Sequence, residues 1–530
     1  MPQQHCYPAD VKVLLVVIDA ATPRVVGPAI QTGRLPTMRR LVERGSYHDT
    51  CTTIFPSITP AATSSIITGE YPAASGIVGA SWFDTETQNV AYYGDDFWVV
   101  ARAGFRSFLD DFLLGLNGDR LAAPTLFEIV ERAEMRAACL NYLIFKGIHQ
   151  HEVKMPTALR ILPGVRRKEH VLGPSIISIG DFLTTHTMRG KPLDDVGGVL
   201  HRFGMDDAST SELLLELAED TFPDFTVAYF ADNDYRSHEV GPHEALEVVE
   251  RVDRGLSRAF EALGGVDKVL QEMIVVITSD HGHCEVLPDH DRGAIRLDQI
   301  LGDFRQAVLG RPWTNGDEMM ICPNMRAAQV YLRRSTAREL GRAVAAVLSD
   351  SRVDHAICRG IDLDGVPDHF WVHSSQGALE FWRGATGAYA TDAFGGTWSW
   401  KGDLGVVDAR LDSDGLVWGD YPNAFERLAG ALEHPNSATL WVTAKPGCEF
   451  EVPGGNAHLG GASHGGLHAL ESYCPLIVAG PTRVELPEEM RSIDVAPLCL
   501  NLLGIPSRHR VGESRKAGSP PNSARPARSL

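Results

Sequence analysis

The run "VKVLLVVID" near the start of the chain is apolar at consecutive positions, rich in β-branched residues, and ends in Asp19. Such runs suit a parallel strand covered on both faces, not a half-exposed one, which would alternate. "DFTVAYFADND" and "EMIVVITSDHGH" have the same character, and each also leads into Asp: Asp232 and Asp234 after one, Asp280 after the other. Helical patterns lie between them. "LPTMRRLVERG" is one, closed by Gly45 as its C-cap. "APTLFEIVERAEMRAACLNYL" reads as helix, then strand. In "HEALEVVERVDRGLSRAFEAL", Leu246, Val249, Val252, Leu256, Phe260 and Leu263 recur at steps of three and four, the helical period. Alternating strands and helices predict an α/β fold with a mostly parallel central sheet and helices on both faces.

The pattern weakens after about residue 290. "AQVYLRRSTARELGRAVAAVLSDSRVDHAICRG" predicts strand, helix and strand, "HFWVHSSQGALEFWR" a hairpin, and "FGGTWSWKGDLG" a Gly/Trp-rich part. Residues 291–455 are therefore read as an inserted α+β cap domain. It divides a catalytic core into residues 1–290 and 456–510, with "SYCPLIVAGP" and "IDVAPLCLNLLGIP" returning to the main sheet and its closing helix. Residues 511–530 are polar, basic and Pro/Ser-rich, a composition that predicts a disordered tail.

Composition narrows the function classes. The 530 residues are 44% apolar and 22% charged, as in ordinary soluble proteins. The net charge of −19 opposes binding to a nucleic-acid polymer, which relies on Lys and Arg neutralising phosphates. A small anionic substrate stays open, because a bound metal reverses the local field. No apolar run approaches the ~18–20 residues that span a bilayer, so no membrane partner is expected. "VKVLLVVID" is short, contains Lys12 and reads as a strand, not a signal peptide. Nine Cys without a CxxC pair fit reduced thiols and a cytoplasmic location.

In open α/β sheets, ligands bind outside the carboxyl ends of the strands, where all these Asp residues fall. A lone Asp there is commonly a turn or cap residue. Three in matching contexts, two with His nearby, point to a metal site. His238 follows Asp234 by four residues, His281 adjoins Asp280, and His464 lies in the Gly-rich "GGASHGGLH". Carboxylate and imidazole ligands suit Zn²⁺, and also Mn²⁺ or Fe, with no thiolate required. His243, His283, His290 and His468 are read as structural or surface residues, or at most as partners of the ligands.

"IFPSITPAATSSIITGEYP", residues 54–72, is crowded with hydroxyls. Pro60 suits the first turn of a helix, which makes Thr59 the natural N-cap. A helix N-terminus carries positive partial charge and free N–H groups, a ready anion site. Beside metals, Thr59 becomes the best nucleophile. Thr63, Ser64 and Ser65 lie further along that helix, and Thr53 and Ser57 precede it.

With "VVIDA", "FPSITPAATSSIITGEYPAASGIVG", "DNDYRSHEVGP", "TSDHGH", "SHGG" and "IDVAPLCLNLLGIP" in this order, the chain resembles the alkaline phosphatase superfamily. The closest likeness is to its type I phosphodiesterase/nucleotide pyrophosphatase branch, over roughly residues 11–285 and 456–506. The resemblance implies an alkaline phosphatase-like fold and two zinc ions at the carboxyl edge of the sheet. One would be held by Asp19, Asp280 and His281 and would touch Thr59; the other by Asp234, His238 and His464. The family's Asp-to-His spacing selects Asp234 over Asp232. The resemblance further implies that Thr59 attacks phosphorus, forms a phosphothreonine and is released by water, on a small phosphodiester or pyrophosphate. The same site in related enzymes cleaves phosphomonoesters or a phosphonate C–P bond, or moves phosphate within a sugar. A metal-stabilised binding protein without catalysis would lack the nucleophile or a ligand, and all seven positions are filled. Trp82 and Phe83, in "SWFDTETQN", stand where related enzymes contact substrate. They would stack on a base or wall an apolar leaving group, or else pack the cap against the core.

Overall fold

The computed structural model describes residues 11–85, 87–93, 110–154, 169–193, 202, 204–309, 311, 313–453 and 455–515. The Lys12–Ile18 strand sits mid-sheet, with Phe225–Phe230 on one side and Met273–Thr278 on the other, both parallel to it. Ala137–Leu140 and Ile176–Ile179 continue the parallel run. Tyr473–Ala479, Ser46–Thr52 and Leu183–Thr184 add antiparallel strands towards the two edges. The result is an eight-stranded mixed sheet with a parallel centre. Its consecutive apolar runs are explained by burial on both sides. Leu15 and Val17 join one apolar core with Phe127 and Phe225, while Leu14 and Val16 join the other with Leu214 and Val252. The Leu246–Ala262 helix buries Leu246, Val249, Val252, Leu256 and Phe260 against the second face, as its period predicts.

The Pro36–Arg44 helix does end on Gly45, but not through a left-handed cap: its φ is −127°. Glycine is needed there for close approach, since a Cβ would lie 2.2 Å from the Val478 carbonyl oxygen on the adjacent Tyr473–Ala479 strand.

Between residues 319 and 444 a second sheet of eight strands forms the cap. All its pairings are antiparallel, so it is built from hairpins and returns, not from helical crossovers. The expected strand, helix and strand appear as Ala327–Leu332, Ala337–Val347 and Val353–Arg359, and the hairpin as His369–Ser374 with Gly377–Arg383.

Two buried polar side chains join this sheet to the core. Asn324 Oδ1 accepts from the N–H groups of Ala80 and Ser81 at 2.8 and 3.2 Å. Arg326 donates to the carbonyls of Ala444 and Cys448, and its Nη1 lies 3.2 Å from Glu471 Oε1. Glu471 accepts from the Gly466 N–H, and the Arg326 N–H donates to the His464 carbonyl. The loop bearing His464 is thus fixed by a buried ion pair.

Residues 511–515 are docked, with the Arg515 N–H donating to Glu426 at 2.7 Å; the rest of the expected tail lies outside the described residues. The eight described cysteines are free and buried. Among the described residues no helix is long and apolar enough to cross a membrane.

Arg326→Met would strand the buried Glu471 charge. Its unfolding free energy should fall by about 3–5 kcal/mol, read by denaturant titration, because breaking a buried pair leaves an uncompensated ion.

Candidate metal centre

Three adjacent parallel strands end at one edge of the sheet, and their Asp residues converge there. The Asp19 N–H still donates to the Phe230 carbonyl, so its position is set by strand register. Asp280 Oδ1 accepts from the N–H groups of Ala20 and His281 at 3.2 and 3.0 Å. Asp234 comes from the first turn of the Asp232–Val240 helix, which puts His238 on the same face one turn later.

Two clusters result. In the first, His281 Nε2 lies 3.5 Å from Asp19 Oδ1, 3.6 Å from Asp280 Oδ2 and 3.1 Å from Thr59 Oγ1. In the second, Asp234 is approached by His283 Nε2 at 3.1 Å, His238 Nε2 at 3.4 Å and His464 Nε2 at 3.6 Å. Donor atoms of Asp234, His238, His283 and His464 lie within 4.8 Å of one another, as do those of Asp19, Asp234 and His281. The His281 and His464 rings stack at 3.7 Å and join the two clusters.

Three of these rings share one arrangement. Nδ1 of His238, His281 and His464 donates to the carbonyl of Ala462, Gly282 and Ser57, respectively. A carbonyl only accepts, so Nδ1 carries a proton and Nε2 is the nitrogen left to face the site, as in metal-binding histidines. Asp19 Oδ1, Asp234 Oδ1, Asp280 Oδ2, His238 Nε2 and His464 Nε2 are buried without a hydrogen-bond partner. Such orphans are costly unless something else satisfies them. A divalent cation at each cluster fits every one of these atoms.

Electrostatics agree. Burial, then the neighbouring Asp280 and Asp234 carboxylates, push the Asp19 carboxyl well above its ordinary range. Burial also raises Asp280, against the pull of His281. Burial works against the Asp234 charge too, but the surrounding His rings hold it well below the usual value. Among the described residues no Lys or Arg pairs with any of these three carboxylates.

The family model for type I phosphodiesterase/nucleotide pyrophosphatase matches residues 13–466. The chain belongs to that family. These phosphodiesterases are hydrolases, and the match runs through the cap.

Solved structures of the same fold include phosphonoacetate hydrolase from Sinorhizobium meliloti 1021 in complex with phosphonoformate. That protein is 18% identical, with a TM-score of 0.55 over 94% of this chain and 97% of its own. Human ectonucleotide pyrophosphatase/phosphodiesterase 5 is 14% identical, with a TM-score of 0.52 over 94% and 96%. Among curated proteins, 2,3-bisphosphoglycerate-independent phosphoglycerate mutase from Wolinella succinogenes is 35% identical over 88 residues. The chain spans only 17% of the length of that relative.

Within this phosphodiesterase fold the seven positions singled out in the sequence come together. Thr59, however, is not the N-cap: Ile58 is, Thr59 takes the first helical position, and its hydroxyl caps nothing. It faces His281 instead. Asp232 stays outside both clusters, where it pairs with Arg202.

His283 was missed. It is fully buried beside Asp234, although neither of its ring nitrogens has a hydrogen bond. Its signal was the spacing in "DHGH", since residues two apart in an extended segment share a side. His243, His290 and His468 lie elsewhere, beside Arg24, Glu451 and the Leu470 N–H. Trp82 and Phe83 are buried in the apolar core, Trp82 against Tyr93 and Phe83 against Trp313 and Tyr331. Their contacts are those of packing residues.

Burial lowers the His238 ring, but Asp234 outweighs it and pushes it up to about 9. A metal at this cluster must displace that proton. Zinc affinity should therefore rise with pH towards about 9, and calorimetry in buffers of different ionisation heat should detect proton release at neutral pH. Zinc at a hundredfold excess over Kd should stabilise the chelator-treated protein by about 2.7 kcal/mol.

Proposed function

We propose that this chain cleaves a phosphodiester or pyrophosphate bond of a small molecule with Thr59 as nucleophile. Asp19, Asp280 and His281 would hold one zinc ion beside Thr59, and Asp234, His238 and His464 a second. The observation that carries the reading is the fate of the hydroxyls around Thr59. Those of Thr53, Ser57, Thr63 and Ser64 each donate to a backbone carbonyl. Thr59 Oγ1 instead stands 3.1 Å from His281 Nε2, at the edge of the Asp/His clusters.

Two bound cations would stabilise the charge developing on the attacking, leaving and non-bridging oxygens. The rest falls to the chain. Thr59 Oγ attacks phosphorus, the bond to the leaving oxygen breaks opposite it, and a phosphothreonine forms. Water then attacks phosphorus and releases Thr59. The first helical bond of the Thr59–Thr68 helix runs from Ala62 N–H to the Ile58 carbonyl. Ahead of it Pro60 has no N–H, and the N–H groups of Thr59 and Ala61 have no helical acceptor and suit a phosphoryl oxygen. Ala62 is buried and has no side-chain donor, so this backbone supplies what the side chain does not.

A second reading is hydrolysis of a phosphonate C–P bond on the same residues. It is supported by the likeness to phosphonoacetate hydrolase, also solved in complex with phosphonoacetate, over 94% of this chain. A cytoplasmic setting suits the buried free thiols.

Bis(p-nitrophenyl) phosphate, p-nitrophenyl phosphate and phosphonoacetate should be compared on the zinc-loaded protein. Preferred turnover of the diester, lost with chelator, is the expected result; preferred turnover of phosphonoacetate selects the second reading. Thr59→Ala should lower kcat by about a thousandfold or more while zinc content stays unchanged. Near-normal turnover in that variant would remove Thr59 from the chemistry.

A further inference from the structure

The segment that bears His464 also carries a second histidine that the mechanism above does not use. Ala462 accepts from His238 Nδ1. Gly461 packs so closely under the same helix that a Cβ would come within 1.9 Å of the His238 carbonyl oxygen. His458, six residues before His464, lies over the His238 ring, with centroids 4.0 Å apart and planes 29° from parallel.

His458 is itself held. Its Nδ1 is 2.9 and 3.1 Å from the two carboxylate oxygens of Glu449, and its backbone N–H donates to Glu449 Oε2 at 2.7 Å. Glu449 is buried, with 3% of its side chain exposed, whereas His458 retains 26%. Among the described residues His458 Nε2 has no hydrogen-bond partner, and it is not one of the fully buried orphans, although its ring lies against His238 of the second cluster.

A carboxylate that accepts the Nδ1–H hydrogen bond keeps the neutral ring's proton on Nδ1 and leaves Nε2 as a hydrogen-bond acceptor. The neighbouring His290–Glu451 pair is also within 2.8 Å, but it is 55% exposed on the histidine and its ring stacks on no member of the clusters. The His458–Glu449 pair is distinguished by its seat on His238.

Thr59 stands at the Asp19–Asp280–His281 end. In-line displacement places the leaving group on the opposite side of phosphorus, towards Asp234, His238 and His464. We infer that His458, oriented by Glu449, accepts a hydrogen bond from a hydroxyl on the substrate's leaving group. The enzyme would therefore favour phosphoesters of polyol-type alcohols over those of plain alkyl alcohols. This inference rests on the phosphoryl-hydrolase reading of the site. It also gives the cap a part in substrate choice, since Glu449 and His458 lie in the segment joining the second sheet to His464.

The test uses two symmetric diesters, bis(glyceryl) phosphate and dipropyl phosphate, so that the leaving group is unambiguous. The wild-type zinc protein should prefer the glyceryl ester in kcat/KM. His458→Phe keeps a ring against His238 but has no acceptor; it should lose about tenfold of that preference, the worth of one hydrogen bond, with zinc content unchanged. His458→Gln, which retains an acceptor, should recover part of it, and His290→Phe should change nothing. An unchanged preference in His458→Phe, or a fall in its zinc content matching the loss of rate, would overturn the inference.

Calorimetric binding of bis(glyceryl) phosphate to zinc-loaded Thr59→Ala gives a reading independent of turnover. Kd should rise about tenfold when His458→Phe is added. If wild type hydrolyses neither ester while this shift is seen, the hydrolase reading fails and the contact stands. If Kd does not move, the contact fails whatever the turnover.

Discussion

Everything at this site depends on three carboxylates forced together. Asp19, Asp234 and Asp280 are each nearly inaccessible to solvent, and no Lys or Arg answers them among the described residues. Buried like charges at this spacing are tolerated only if they take up protons or meet cations. The sheet imposes the crowding. Lys12–Ile18 lies between Phe225–Phe230 and Met273–Thr278, all three parallel, so their carboxyl ends share one edge. An antiparallel arrangement of the same strands would have sent one Asp to the far side. The parallel centre of the sheet is therefore a requirement of the site, and the two-sided apolar core that permits it is a requirement of the sheet.

The rings that complete the clusters are placed by a different device. His238, His281 and His464 come from a helix, a strand end and a loop, yet each is oriented by a backbone carbonyl. A carbonyl held by the fold is a stiffer guide than a mobile side chain. The loop bearing His464 needs more, because it has little regular structure. Ser57 receives His464 Nδ1 on its carbonyl and the Gly465 N–H on its hydroxyl, while Arg326 and Glu471 tie the loop to the second sheet. Core and cap thus share responsibility for placing His464. The buried Arg326–Glu471 pair gives registry at a desolvation cost that an apolar contact would avoid.

What the sequence disclosed follows from how far each signal reaches. Strand character and the trailing Asp residues are local, so Asp19, Asp280 and the Asp232/Asp234 pair were legible, while the choice of Asp234, four residues before His238, came from the family's spacing. His464 stood out by its Gly-rich loop, but its place beside Asp234 and His238 was legible only through family resemblance, because nothing local links it to residues more than two hundred positions earlier. The second sheet was visible in pieces, as a helix between strands and as a hairpin. Its continuity was not, because strand pairing across the insert is set by tertiary contacts. Thr59 was identified by Pro60 and its hydroxyl but assigned to the wrong helical position. The helix begins one residue earlier than Pro60 alone suggests, with Ile58 in extended backbone as its cap. Trp82 and Phe83 show the opposite limit: an aromatic pair in a family motif is as readily a hairpin's packing face as a binding wall.

His283 and His458, neither of them assigned as a ligand from the sequence, differ in a way that separates their parts. His283 is fully buried, and burial drives its ring down to about 3, so it is neutral at any working pH and adds no positive charge to the cluster. His464 is likewise held far below its ordinary value by burial and by the neighbouring His281. Imidazolium charge on these two rings therefore does not balance the carboxylates, and the His238 proton competes with a ligand for the same Nε2. On the proposed reading two divalent cations would exceed three carboxylates by one positive charge. That surplus is what an anionic phosphoryl group needs in a chain whose net charge is −19. His458 stands outside this balance. Its Nδ1 is held by Glu449, its Nε2 has no hydrogen-bond partner among the described residues, and on the proposed reading it is left to read the substrate while the buried rings hold the site.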